Sequence, residues 1–435
     1  MPEDLRGIPV SATSETALRA TNNFNRRLLR LDAGMEELRQ ARDEEPEDPL
    51  LNLYSALVCL YSQTADGLQE AGQFLDQVER HISRLTPRDL RLLEAMQRFR
   101  RGHFYETQEL LEQLTEEFPR DLLALKFCEY VYYTLGQQDS GPRYRAHVDR
   151  LEHANAGDPD FLGMQAFAYE LCDQLREAQS LARRAIEAEP RNAWAQHALS
   201  HALIRTGEIE TGIREMENFL PALKTCDRLI QSHDGWHLAL LYLEQLDEQN
   251  TRRVFDEIIW PYSPDAVGEQ VDAISLVWRM DMAGFEMDKF WQEIATRAAP
   301  RARETFIPFL SAHYAYAFSR AGNDDALGEL LETVWKRSEG HDSEARQIWA
   351  PIGRNLVEAS ASCGQGHHHE AVELLRPIIE QVACVGGSDA QDDLFRLAYA
   401  HGLAQTGRHA DADAFREHWQ PIKLTTPLDE KLFRQ

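Results

Sequence analysis

The strongest constraint on this chain is a recurring pair of short amphipathic segments. Hydrophobic residues fall at three- and four-residue spacing almost throughout, Ala, Leu, Glu, Gln and Arg dominate, and strand signals are scarce. The stretch FLGMQAFAYELCDQLREAQSLARRAIEAEPRN is followed by RNAWAQHALSHALIRTGEIETGIREMENFL, in which Gly207 separates two amphipathic halves. LRLLEAMQRFRRGHFYETQELLEQLTEEFPRD repeats the pattern with Ala95, Gly102 and Pro119, and Gly136 lies 34 residues after Gly102. Further copies surround Ala41 and Pro46, Gly322, Gly366 and Ala371, and Gly407 and Ala412.

The offsets identify the repeat type. Ala166, Tyr169, Ala178, Ala185 and Pro190 stand at positions 8, 11, 20, 27 and 32 of a 34-residue tetratricopeptide unit that starts at Pro159, and the next unit starts at Ala193. Small residues let two antiparallel helices approach closely. Glycine at the turn takes a backbone conformation that side chains resist, and proline stops the second helix. A single hairpin cannot bury its apolar face, so the units must stack. The expectation is an all-α, tetratricopeptide-like superhelix of helical hairpins (an α-α solenoid), tightly curled or closed. It forms one array over 1–435 with a soft division into 1–226 and 227–435. Between 226 and 308 the spacing drifts. Residues 260–306 fit no repeat cleanly, although VDAISLVWRMDMAG still reads as a helix.

Charge and cysteine usage narrow the partners. With a formal net charge of −26, the chain repels phosphate backbones and anionic lipid, so neither nucleic acid nor a membrane surface is expected as partner. The N-terminus lacks a basic region followed by an apolar run, and no stretch is apolar enough to span a bilayer. Cys59, Cys128, Cys172, Cys226, Cys363 and Cys384 form no CxxC pair and read as free thiols in a reducing compartment, which makes the cytoplasm the expected location.

Several blocks, in order, resemble the tetratricopeptide repeat protein 38-like family and its bacterial members: DFLGMQAFAYE, NAWAQHALSHAL with GEIETGI, SHDGWHLALLYLE, VDAISLVWR, FIPFLSAHYAYAFSRAG and VGGSDAQDDLF. The resemblance spans nearly the whole chain. It implies a helical-repeat fold and carries no established reaction. It singles out His197 and His201, the group His233, Trp236 and His237, the block Gly386, Gly387, Ser388, Ala390 and Gln391, and His313. This chain departs from the family at Asp389, where relatives typically carry histidine, so any ligand preference there is expected to differ.

Histidine spacing gives an independent reason to look at the same residues. His197/His201 and His233/His237 are i,i+4 pairs, which puts both rings of each pair on one helix face. Random placement of 16 histidines gives fewer than one such pair. In a unit starting at Ala193, Trp194, His197 and His201 occupy first-helix positions that face the concave groove. In a unit starting at Ser232, with Ser232 as helix N-cap, His233 and His237 fall near the same face. Two neighbouring helices would then aim four imidazoles, with Trp194 and Trp236, into one hollow. Asp272 and Asp389 are carboxylates available as further ligands or as partners that orient the rings.

Three readings of the cluster stay open. The imidazoles could sit between repeats, donating to carbonyls or carboxylates. They could line a groove that captures a small molecule or peptide, with Trp194, His197, His201, His233, Trp236, His237, Asp272, His313, Ser388, Asp389 and Gln391 as its binding residues. They could hold a divalent transition metal on His197, His201, His233 and His237. The leading functional reading is a binding scaffold of the tetratricopeptide type. The alternative is a metal- or histidine-dependent enzyme. HALSH lacks the glutamate of HExxH, and no phosphate loop or nucleophile elbow is present. Of the remaining features, GHHHEA at 366–371 reads as a solvated turn, with adventitious metal binding as the alternative, and the acidic run RDEEPEDP at 42–49 as an inter-repeat turn. Trp278, Trp291, Trp335 and Trp349 read as core, and Arg279 as a helix-surface ion pair with Asp272, with a buried partner or an anion ligand as the alternative.

Overall fold

Hairpins begin where the sequence supplies a cap. The Asp158 carboxylate accepts the backbone N–H of Asp160 at 2.9 Å, and Pro159 takes the first helical turn, where its missing N–H costs nothing. The Pro159–Glu170 helix then packs on Leu175–Ala188, and the next two helices are Ala193–Thr206 and Ile209–Leu223. Both repeats therefore start at the residues that the 34-residue register indicates. Asp48–Pro49 and Thr86–Pro87 use the same device to start Pro49–Leu60 and Pro87–Arg100.

The computed structural model describes residues 2–260, 263–340, 347–420 and 423–433. Among these the fold is all-α: helices pack on their sequence neighbours as hairpins, with no strand. No helix of the described residues is long and apolar enough to cross a membrane. All six cysteines are free thiols.

The chain forms two compact units. The first runs to Leu135 and takes up Ser140–Ala198 and Ala222–Asp227; the second consists of Gly136–Asp139, Leu199–Pro221 and the chain from Arg228 onward. In the first unit a buried ion network holds neighbouring hairpins. Arg88 grips both oxygens of Asp121, at 2.6 and 3.0 Å, and reaches Asp89 at 2.8 Å. Asp89 in turn accepts the Ser11 hydroxyl at 2.7 Å. Each buried charge thus has opposite charge and hydrogen bonds on it, the condition under which a buried pair is tolerated.

In the second unit the spacing drift has a local cause. The Glu248–Val254 helix widens into a π-helical turn at Phe255–Ile259, which breaks the 34-residue register before Val267–Met282. That helix is buried from Glu269 to Met280 and so has no polar face. Gly136 shows why the short segment 136–139 belongs here: its φ is +93°, and a Cβ on it would stand 1.7 Å from the Ala383 carbonyl oxygen. The next residue, Gln137, donates its N–H to Gly387 O at 3.1 Å.

Trp278, Trp291 and Trp349 are core as expected. Trp335 is not: it is 49% exposed, because Leu330 and Val334 occupy the inward face of Asp324–Ser338 and the next position turns outward.

Burial pushes the His147 imidazole down to about 4. Its Nδ1 accepts from Arg150 at 3.1 Å, and its Nε2 lies 2.7 Å from the Thr115 hydroxyl, so the folded ring is neutral. The unfolded chain takes up this proton near pH 6.5. Between about pH 6.5 and about 4 unfolding therefore binds a proton, and stability is lost as pH falls. We expect the wild-type protein to lose about 1.4 kcal/mol per pH unit relative to His147→Gln across that window. Urea unfolding of both proteins from pH 7.5 to 4.5 checks this, and a pH-independent difference contradicts it.

Candidate functional site

Two helices of the second unit bring the histidines together. His201 lies on Ala193–Thr206, in the share of that helix that belongs to this unit, and His233 and His237 lie on Arg228–Glu244. The second helix starts at Arg228, one turn before the expected N-cap at Ser232. Arg228 Nη1 donates to Gln231 Oε1 at 2.9 Å inside that added turn. The Ser232 hydroxyl donates instead to Ile259 O at 3.2 Å, in the π-helical turn of the next helix. The i,i+4 relation of His233 and His237 is unaffected, and both rings turn toward His201. Ring centroids are 4.5 Å apart for His201–His237 and 4.9 Å for His233–His237. One ring nitrogen from each of the three lies within 4.8 Å of those of the others.

Carboxylates fix two of the rings. His201 Nδ1 stands 2.9 Å from Asp389 Oδ1, and His233 Nδ1 stands 2.8 Å from Asp272 Oδ2. A carboxylate there keeps the ring proton on Nδ1 and leaves the Nε2 lone pair as the donor to a metal. The carboxylates are themselves held. Asp389 Oδ2 takes Arg205 Nη1 at 3.1 Å, and Asp272 Oδ1 takes Gln391 Nε2 at 3.3 Å. Gln391 Oε1 accepts the Ser388 N–H at 3.1 Å, so the start of Asp389–Gln405 is capped by a residue that also reaches the site. The block at 386–392 thus meets the histidines through Asp389 and Gln391, although 188 residues separate Asp389 from His201.

The site is enclosed. His201 and His237 are fully buried, and Asp272 and Asp389 nearly so, while the His233 side chain keeps 17% exposure. Burial, with the positive fields of His201, His233 and Arg279, holds the His237 imidazole well below its usual range. Burial likewise pushes the Asp234 carboxyl well above the carboxylate range. The arrangement offers imidazole nitrogens in a buried setting, the ligand type that suits zinc, copper, iron or nickel.

The remaining expected residues divide. Trp236 is fully buried, its ring stacked on His233 at 5.4 Å, and its indole N–H finds no partner among the described residues. His197 lies one turn before His201, in the first unit's share of the helix. There it stacks on Trp194 at 4.5 Å, and the Lys126 ammonium lies 3.1 Å from the Trp194 ring centre. His313 stands apart from the three-histidine cluster, among Phe309, Phe395 and Trp278. Its Nδ1–H donates to Phe309 O at 2.8 Å, and its Nε2 has no partner among the described residues. Arg279 makes no surface ion pair with Asp272: it is 5% exposed and donates to Ala390 O at 2.9 Å. The wholly buried helix that carries it leaves no surface for such a pair. Sequence reasoning missed Arg205 and Asp234. Arg205 continues the His197–His201 face by one further i+4 step, a signal that was legible; Asp234 gave none.

No family model matches the chain. Among solved structures it is similar to a monomeric mutant of IFIT1 with Gppp-AAAA, at 13% identity over 85% of this chain and 90% of that one, with a TM-score of 0.40. It is also similar to a chain of Naa15/Naa10 bound to HypK-THB, at 12% identity over 93% of this chain and 63% of that one, with a TM-score of 0.25.

The packing of His313 is that of an aromatic core residue. We expect His313→Phe to change stability by no more than about 1 kcal/mol, because a ring of similar shape replaces one with an unsatisfied nitrogen. His313→Ala is expected to cost about 3 kcal/mol through the cavity it leaves. Equilibrium urea unfolding of the two variants reads the difference. A large loss in the phenylalanine variant would mean that the imidazole nitrogen has a polar role.

Proposed function

We propose that this chain is a helical-repeat binding protein whose second unit holds a divalent transition-metal ion on His201, His233 and His237 and captures a small molecule there. The observation that carries this reading is the pairing of two Nδ1 atoms with Asp389 and Asp272, at 2.9 and 2.8 Å, while the rings converge on His237. Histidine ligands of metals usually donate their second ring N–H to a carboxylate or carbonyl in this way. Histidines that merely fill gaps between repeats have no need to converge.

Three nitrogen ligands on a four-coordinate ion leave one position for water or for an atom of the bound molecule. An ion with such a position polarises a carbonyl or lowers the pKa of bound water, so the same centre serves an enzyme as readily as a binder. Membership of the tetratricopeptide repeat protein 38-like family is part of the proposal. The blocks that resemble it, NAWAQHALSHAL, SHDGWHLALLYLE, VDAISLVWR and VGGSDAQDDLF, are those that supply His201, His233, His237, Asp272, Asp389 and Gln391.

Elemental analysis of protein purified without an affinity tag tests the reading. We expect close to one zinc, iron, nickel or copper ion per chain, lost in His201→Ala and in His237→Ala. Asp389→Asn and Asp272→Asn are each expected to weaken metal affinity about 10- to 100-fold without unfolding the protein. Wild-type protein that carries no metal, and takes up none of these four added ions at micromolar concentration, would rule the proposal out.

A further inference from the structure

A cleft opens in the second unit beside Asp389. Leu240, Leu243, Leu397 and Trp419 give it an apolar wall, and Arg205, Arg279, Lys423, Glu244 and Asp393 bring charge to it. Most of these charges cancel in pairs. Arg205 Nη1 is 3.1 Å from Asp389 Oδ2, and Lys423 Nζ is 2.7 Å from Glu244 Oε1. Asp393 accepts the Trp419 and Gln420 side-chain N–H groups at 3.0 Å each and lies 3.5 Å from Arg396 Nη1.

Arg279 is the exception. It is 5% exposed and makes no direct ion pair among the described residues, although Asp393, Glu244 and Asp272 act on it through space. Its Nη1 donates to Ser275 O at 3.2 Å and to the Ser275 hydroxyl, its Nη2 donates to Ala390 O, and its Cζ lies 5.5 Å from the centre of the Trp236 ring. Neutral oxygens and an indole face orient a guanidinium without neutralising it. A buried charge left so is costly, and the usual remedy is a counter-ion.

We propose that this counter-ion comes from a ligand: Arg279 receives the carboxylate of a small monoanionic organic acid whose apolar body lies along Leu240, Leu243 and Leu397. With Glu244 taken by Lys423 and Asp393 by Arg396, Trp419 and Gln420, no carboxylate of the wall is left for direct contact with Arg279, and a single ligand carboxylate fits that place. The planar guanidinium fork matches a carboxylate in shape. The inference rests on the metal-centred reading in that it names the class of molecule the site takes. Arg205 joins the two, since it lines the cleft and also holds the carboxylate that orients His201.

Calorimetric titration of the full-length protein with butanoate and hexanoate, against butanamide and hexanamide, tests this. We expect both acids to bind, hexanoate more tightly, and the amides at least tenfold more weakly. Arg279→Gln is expected to weaken acid binding at least tenfold with metal content unchanged, an acid-against-amide difference that a merely structural arginine would not produce. Leu397→Trp, which fills the cleft and leaves the guanidinium in place, should also block hexanoate and serves if Arg279→Gln does not fold. Amides that bind as well as acids, acids that do not bind wild-type protein, or undiminished binding in the folded variants would overturn the inference. Acid binding in metal-free protein would keep the anion subsite and remove the metal reading; one metal ion per chain without acid binding would do the reverse.

Discussion

An imidazole that donates one ring nitrogen has a single lone pair left to offer, and a carboxylate decides which one. Asp389 makes that decision for His201 and Asp272 makes it for His233. The rest of the site depends on this choice. With the protons held on Nδ1, both Nε2 atoms keep their lone pairs. Without these carboxylates the same rings would be free to flip tautomer, and their convergence on His237 would have no defined chemistry.

The supports of those carboxylates explain why the centre is drawn from so many hairpins. Arg205 balances Asp389 from the histidine's own helix, whereas Gln391 steadies Asp272 from a helix far along the chain. Burial makes such bonds count. In a low dielectric a misplaced carboxylate would be a liability, and each oxygen here meets a donor that another hairpin fixes.

Local features of the fold were legible and long-range ones were not. The helix starts at Pro159 and Ala193 follow from short-range chemistry, a cap or a proline within two residues, so the repeat register found them. Ser232 misled because it has the chemistry of a cap, while the helix around it begins with Arg228, Leu229 and Ile230, which propagate a helix without one. A polar side chain on a helix usually marks its solvent face, which favours a surface pair over a buried partner for Arg279; on a helix buried from Glu269 to Met280 there is no such face. The histidine pairs were visible through their spacing. Their partners Asp389 and Asp272 entered only as candidates, because no periodicity reports a contact across 188 residues.

That distance has a consequence for how the protein comes into being. A chain emerges from the ribosome N-terminus first, and its early domains fold before the rest is made. The histidines at 201, 233 and 237 leave the ribosome long before Asp389 can reach them. During that interval three imidazoles that end up buried lack the carboxylate that orients one of them. The ring that Asp389 orients therefore takes its final setting only when the last hairpins are in place.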